Sequence, residues 1–157
     1  MMASSGSKVR VIEADSSEMM ELAQAAVAAG ASIWIRARGM SMAPVIPSGT
    51  PVRVSPLRRR PEPGDILLVR GVAGRPLIHR VTRVMSGPRG DRIVLRGDSH
   101  LADDPPIEAA EAIGRVDRML VGGRELAPAA RWPHRLVADL RRTGRRVLAR
   151  ARGAWAR

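Results

Sequence analysis

The pattern of apolar and polar positions changes period once along this chain. Met19, Leu22, Ala23, Ala26 and Val27 recur on one helical face. Asp15 with Glu18 three residues on marks a helix start and Gly30 a stop, so one helix is predicted between them. Residues 9–13 predict a short strand before it, and residues 1–8 a disordered leader. From Ala31 the helical period gives way to short β-segments broken by Gly and Pro. Strands are predicted at 33–35, 51–55, 65–70, 77–84, 92–96 and 112–120, with turns at 61–65 and 87–91. Strands this short and this evenly spaced predict a mainly β fold, a small rolled sheet or barrel rather than a parallel α/β architecture. Beyond Pro128, Leu136, Leu140, Val147, Leu148 and Ala151 recur among arginines. They predict a basic amphipathic helix with weak points at Gly144 and Gly153. The domain boundaries that follow are a leader at 1–8, one domain at 9–127 and an Arg-rich tail at 128–157.

Composition narrows the partners. With 157 residues, 45% of them hydrophobic, the chain supports one domain with its own core. Tyr and Phe are absent and only Trp34, Trp132 and Trp155 are aromatic, so the core falls to Val, Ile, Leu, Met and Ala. The same shortage removes the stacking platforms of single-strand nucleic-acid binders. Without cysteine there are no disulfides and no thiolate metal sites. The net charge of +12 is uneven, because residues 131–157 hold nine arginines and one acid, Asp139. The body is only mildly basic, and no nucleic-acid partner is expected. The tail is read as a solvated extension or, since arginines beside Leu and Trp suit anionic headgroups, as a membrane-surface helix. The apolar run 25–35 is shorter than the ~20 residues that span a bilayer. Glu13, Asp15, Glu18 and Glu21 argue against a secretory leader. A cytoplasmic protein, or one peripheral at a membrane, is expected.

The candidate chemistry starts at Ser41, between Gly39-Met40 and Met42-Ala43-Pro44, ten residues before a predicted strand. A serine nucleophile needs a base to take its proton. The bases on offer are Lys8, His79, His100 and His134. His79 lies within a predicted strand, and residues 97–104 form a polar loop leaving another, with Asp98, Asp103 and Asp104. A serine, a histidine and an aspartate on three β-linked segments can act as nucleophile, base and orienting acid. Each also has a plainer reading: a turn serine, a half-buried strand histidine, a solvated loop acid. His100 beside the loop acids has the makings of a metal ligand. With no thiols and no helical His spacing, a solvent-facing loop histidine is the expectation. Gly64 and Asp65 are expected to make a turn and carry no chemistry.

Taken in order, Gly-x-Ser-Met-x-Pro at 39–44, Pro-Gly-Asp-Ile at 63–66, His-Arg-Val at 79–81, Gly-Asp-x-x-x-x-Asp-Asp at 97–104 and Ile-Gly-Arg-Val at 113–116 resemble the boxes of signal peptidase I. The match covers about residues 31–121. Gly-Met-Ser-Met also resembles the LexA-type self-cleaving repressors, which share the fold. These families divide by their base, and His79 stands where most bacterial members carry lysine. The chain therefore resembles the Ser-His branch, the endoplasmic-reticulum and SipW-like enzymes. The resemblance implies Ser41 as nucleophile and His79 as general base, a role for which a side chain with an unperturbed pKa of ~6.5 suits neutral pH. It implies Asp104 as the acid that orients the imidazole, with Asp103 the alternative, and Asp98 as a brace for the loop. The Ser41 backbone N–H would meet the oxyanion; some relatives add a serine hydroxyl two residues earlier, where Gly39 stands here.

The implied activity is a serine endopeptidase that cleaves a precursor or leader peptide, with no metal or organic cofactor. Signal peptidases usually carry a hydrophobic span before the serine box, where this chain has only the Ala-rich stretch ending at Ile35. Two alternatives remain. One is a LexA-like self-cleaving regulator, for which one helix in residues 1–30 is too little for a helix-turn-helix. The other is a non-catalytic peptide-binding module on the same fold.

Overall fold

The computed structural model describes residues 9–12 and 16–129. The predicted leader at 1–8 and, from residue 130 on, the Arg-rich tail with its basic helix lie outside the described residues, as do Lys8 and His134. Within them, β1 (Val11–Ile12) precedes α1 (Ser16–Ala28). The chain continues through β2 (Ile33–Arg36), β3 (Pro51–Ser55), β4 (Ile66–Arg70), β5 (Pro76–Met85) and β6 (Arg92–Arg96). It ends in β7 (Ile107–Glu108), β8 (Ala112–Val121) and β9 (Arg124–Leu126). The one helix and seven of the strands stand where the sequence pattern puts them, within two residues at each end. Two strands, β7 and β9, have no counterpart in that pattern. They have two and three residues and exist only because β6 and β8 offer them an edge to pair with.

The mainly β fold is thus the one expected, but the barrel alternative does not form. The sheet runs β1-β2-β3-β8-β4-β5-β6-β7, with β9 also on β8, and no pairing returns from β7 to β1 among the described residues. Both outer strands have only two residues, too short to carry a closing ladder. The sheet is rolled and open.

β4 sits at the centre and is buried on both faces. Ile66 and Leu68 face a core shared with Met20 and Ala23 of α1, Ile35, Val52, Val54 and Val116. Leu67 and Val69 point the other way, into a smaller core with Val81, Ile93 and Leu95. Strand alternation explains the split, since successive side chains leave opposite faces. It also decides which way β5 presents its residues. Leu77, His79 and Val81 share one face, and Ile78 and Arg80 the other.

Gly114 on β8 lies where the helix packs against the sheet. A Cβ there would lie 2.7 Å from Val54 Cγ1, 2.8 Å from the Ser55 carbonyl and 3.3 Å from Val27 Cγ2. Beside it, Asp117 accepts two hydrogen bonds from Arg53, at 2.9 and 3.0 Å, and one from the Ser55 hydroxyl at 3.0 Å. The hydrogen bond to Asp117 raises the Arg53 guanidinium further above its already high range, so Arg53 stays charged. No described helix is long and apolar enough to cross a membrane.

Candidate active site

The segment carrying Ser41 links β2 to β3, and its ends are tied together. The Ala37 N–H donates to the Thr50 carbonyl at 2.9 Å and the Gly49 N–H to the Ala37 carbonyl at 2.8 Å. Gly39 and Gly49 both adopt positive φ, 89° and 88°, a region that costs other residues energy. Between them Met42, Val45 and Ile46 drop into the larger core and hold the turn against the sheet. Met40 is left 66% exposed on one side of Ser41. Ser41 itself is half-buried, and neither its Oγ nor its N–H has a hydrogen-bond partner among the described residues.

His79 arrives from β5 with 1% of its surface exposed. Its Nδ1 lies 2.5 Å from Asp104 Oδ2. The other ring nitrogen, Nε2, is buried and has no hydrogen-bond partner among the described residues. Its surroundings are defined by Gly97, at the end of β6. A Cβ at Gly97 would stand 3.0 Å from His79 Nε2, 3.0 Å from Ser41 Cβ and 2.7 Å from the Ser41 carbonyl. The free nitrogen and the serine therefore flank one point, which only glycine leaves empty. No hydrogen bond joins Ser41 Oγ to His79 Nε2; catalytic contacts of this kind commonly tighten only when substrate binds.

The two neighbouring acids have opposite surroundings. The Asp104 N–H donates to the Leu95 carbonyl at 2.8 Å, which turns its carboxylate toward His79. Asp103 faces away, accepting from Thr82 Oγ1 at 3.4 Å and pairing with Arg96 at 3.4 Å. Asp98 lies on the far face of β5. It takes both arms of the Arg80 guanidinium at 2.8 Å, with the two side chains 3% and 0% exposed. Arg80 also donates to the carbonyls of Gly64 and Ala129, at 2.9 and 2.8 Å. This buried pair clamps the 97–104 loop to the strand that bears His79.

Two residues of that loop do more than the sequence suggested. Ser99 grips the nucleophile segment: its N–H donates to the Ser41 carbonyl at 2.8 Å, and its hydroxyl lies 3.0 and 3.1 Å from the Met40 and Ser41 carbonyls. His100 is exposed, as expected of a loop histidine, but its ring stands edge-on to His79 with centroids 5.3 Å apart. The only sequence signal for either was their place inside the Gly-Asp-Ser-His run. His79, His100 and Asp104 each bring one potential metal-ligating atom within 4.8 Å of the others. Three is a catalytic ligand count, and the His79–Asp104 hydrogen bond uses one atom of each side chain, Nδ1 and Oδ2. Gly64 and Asp65 do make the expected turn, Asp65 being held by Arg59 and Arg115.

A cleft opens beside Ser41, between the start of β5 and the segment after β2. Its walls include Ile35, Met42, Leu77 and Ile78, with Met19 of α1 at one end. β5 is paired with β4 from Pro76 to Arg80, but β6 joins it only from Arg80 onward. Residues 76–79 therefore present an open strand edge that runs along the cleft to His79.

An open rolled sheet with one helix, and a serine, histidine and aspartate gathered beside a cleft, define the serine-peptidase or LexA-like class of fold. A family model described as Peptidase S24-like matches residues 2–117, and the chain belongs to that family, within the LexA and signal peptidase I superfamily. No curated protein and no solved structure matches the chain. Peptidase activity is the general character of the family; the match does not separate the Ser-His signal peptidases from the LexA-type proteins.

Proposed function

We propose that this chain is a serine endopeptidase of the signal peptidase type, using Ser41, His79 and Asp104 to cut a precursor or leader peptide. The observation that carries the reading is the state of His79. One ring nitrogen is held by a carboxylate; the other is buried, unpartnered and directed at the point it shares with Ser41. A histidine packed for stability alone would have both nitrogens satisfied or solvated.

In this mechanism an extended peptide pairs with the open edge of β5 at 76–79, by strand addition. Its scissile carbonyl carbon then lies over Ser41. The Oγ attacks as its proton passes to His79 Nε2, and the Asp104 carboxylate stabilises the imidazolium through Nδ1–H. The oxyanion takes a hydrogen bond from the free Ser41 N–H, a type of contact worth ~3 kcal/mol. Collapse breaks the C–N bond, and the proton on Nε2 goes to the departing amine. Water repeats the sequence on the acyl-enzyme and releases the acid. Asp98 acts on the frame through Arg80, and Asp103 takes no part.

The test is to incubate the full chain and Ser41→Ala with a panel of secretory and small-peptide precursors and read products by mass spectrometry. Serine-dependent cleavage is expected. Identical product profiles for the two proteins on every precursor overturn the proposal. The S24-like match favours one other reading, the LexA-like self-cleaving regulator. It predicts instead an internal cut when the chain is incubated alone, abolished in Ser41→Ala.

A further inference from the structure

We infer that the cleft beside Ser41 selects peptides with an acidic side chain flanking a small or aliphatic segment. This rests on the reading of that cleft as the substrate site and names the chemistry it prefers. The apolar part of the wall, with Ile35, Met42, Leu77 and Ile78, accepts aliphatic side chains of limited size. The charged part is of one sign. Arg36, Arg38 and Arg75 line the cleft, and none of its lining residues is an Asp or Glu.

Arg36 is already engaged, donating to the Gly49 carbonyl at 2.7 Å. Arg38 and Arg75 are exposed, and their side chains make no hydrogen bond or ion pair with any described residue. They belong to opposite walls, Arg38 to the segment entering the serine turn and Arg75 to the residue before β5. Several arginines elsewhere are matched to carboxylates: Arg53 with Asp117, Arg59 and Arg115 with Asp65, Arg80 with Asp98. Two unmatched guanidiniums across a cleft with apolar walls concentrate a positive field there and favour a carboxylate, which arginine can bind through two parallel hydrogen bonds. A basic side chain in the same position meets like charge from both walls.

The Ser41→Ala chain binds without cutting, so affinity can be read apart from catalysis. Three fluorescent peptides, capped at both ends so that only side chains carry charge, would share an Ala-Leu-Ala centre and differ in flanking Asp, Asn or Arg. Anisotropy at ~0.1 M salt, where the screening length is about 10 Å, limits the general pull of a basic protein. The Asp peptide is expected to bind about tenfold tighter than the Asn peptide, as two partly exposed charge contacts allow, with the Arg peptide weakest. Arg38→Glu with Arg75→Glu should reverse that order, and the milder Arg38→Gln with Arg75→Gln should abolish it. The paired control Arg58→Glu with Arg89→Glu makes the same charge change away from the cleft and should preserve it. Equal binding of the three peptides, binding of none at millimolar concentration, or equal loss in cleft and control variants overturns the inference. If the Asp peptide is preferred but no precursor is cut in a Ser41-dependent way, the peptidase reading falls and this one stands. Serine-dependent cleavage that is blind to flanking charge overturns the inference and leaves the peptidase reading standing.

Discussion

His79 and Asp104 are joined at 2.5 Å through Nδ1, while Asp103, one residue earlier in the chain, faces Thr82 and Arg96. Adjacent acids in an extended loop point to opposite sides, so only one can reach the imidazole. If Asp104 orients the base, Asp104→Asn should lower kcat/KM for a cleaved precursor by about 10²–10⁴-fold, the usual share of general base catalysis. Asp103→Asn should stay within severalfold of the parent. Steady-state kinetics of the two variants, side by side, decides the assignment; equal losses would remove it.

Gly97 should tolerate no side chain. A Cβ there meets the Ser41 carbonyl at 2.7 Å and His79 Nε2 at 3.0 Å, and both contacts belong to anchored segments. Gly97→Ala should cost about 1–3 kcal/mol in stability, as overpacking does. Activity should fall far more than that loss of folded protein explains. Denaturant unfolding together with single-turnover cleavage separates the two effects, and a variant with parental kcat contradicts the geometry.

The Ser99 hydroxyl ties the 97–104 loop to the carbonyls of Met40 and Ser41. Ser99→Ala should lower stability by about 0.5–1.5 kcal/mol, the net worth of a hydrogen bond. If Ser41 is the nucleophile and Ser99 only positions it, kcat should fall and KM remain near its parental value. A change confined to KM would assign Ser99 to binding instead.

The Arg80–Asp98 pair is buried, and breaking it by Asp98→Ala should destabilise the fold by about 3–5 kcal/mol, leaving a guanidinium uncompensated. Replacing both partners, Arg80→Met with Asp98→Leu, should recover most of that loss. Chemical denaturation of the single and double variants provides the measurement. A double variant no more stable than Asp98→Ala would mean that the Gly64 and Ala129 contacts of Arg80, not the ion pair, hold the loop.

Gly114→Ala should behave differently from Gly97→Ala. The added methyl lies against Val54, the Ser55 carbonyl and Val27 at the helix–sheet contact, away from His79. A loss of about 1–3 kcal/mol in stability is expected with unchanged kcat for the folded fraction. A kinetic defect exceeding the folding defect would show that α1 docking reaches the site.

The chain's own sequence determined the local structure and the segments that carry chemistry. A change from 3.6-residue to short β periodicity located α1 and six strands after it, and residues 9–13 gave β1 before it. The absence of a lysine from the β-rich body left His79 as the base candidate there. The two-residue and three-residue strands β7 and β9 were invisible, because such short segments carry no periodic signal and are strands only when paired. Sheet closure was equally out of reach, since it depends on which edges meet. Tertiary structure showed how Asp104, favoured over Asp103 only by the resemblance, reaches the ring: spacing treats neighbouring acids alike, whereas a backbone bond to Leu95 turns one of them toward it. It alone set Ser99 against the Ser41 carbonyl, 58 residues away in sequence. Hydrophobic period is written residue by residue along the chain, but a buried nitrogen without a partner exists only once distant strands have been packed together.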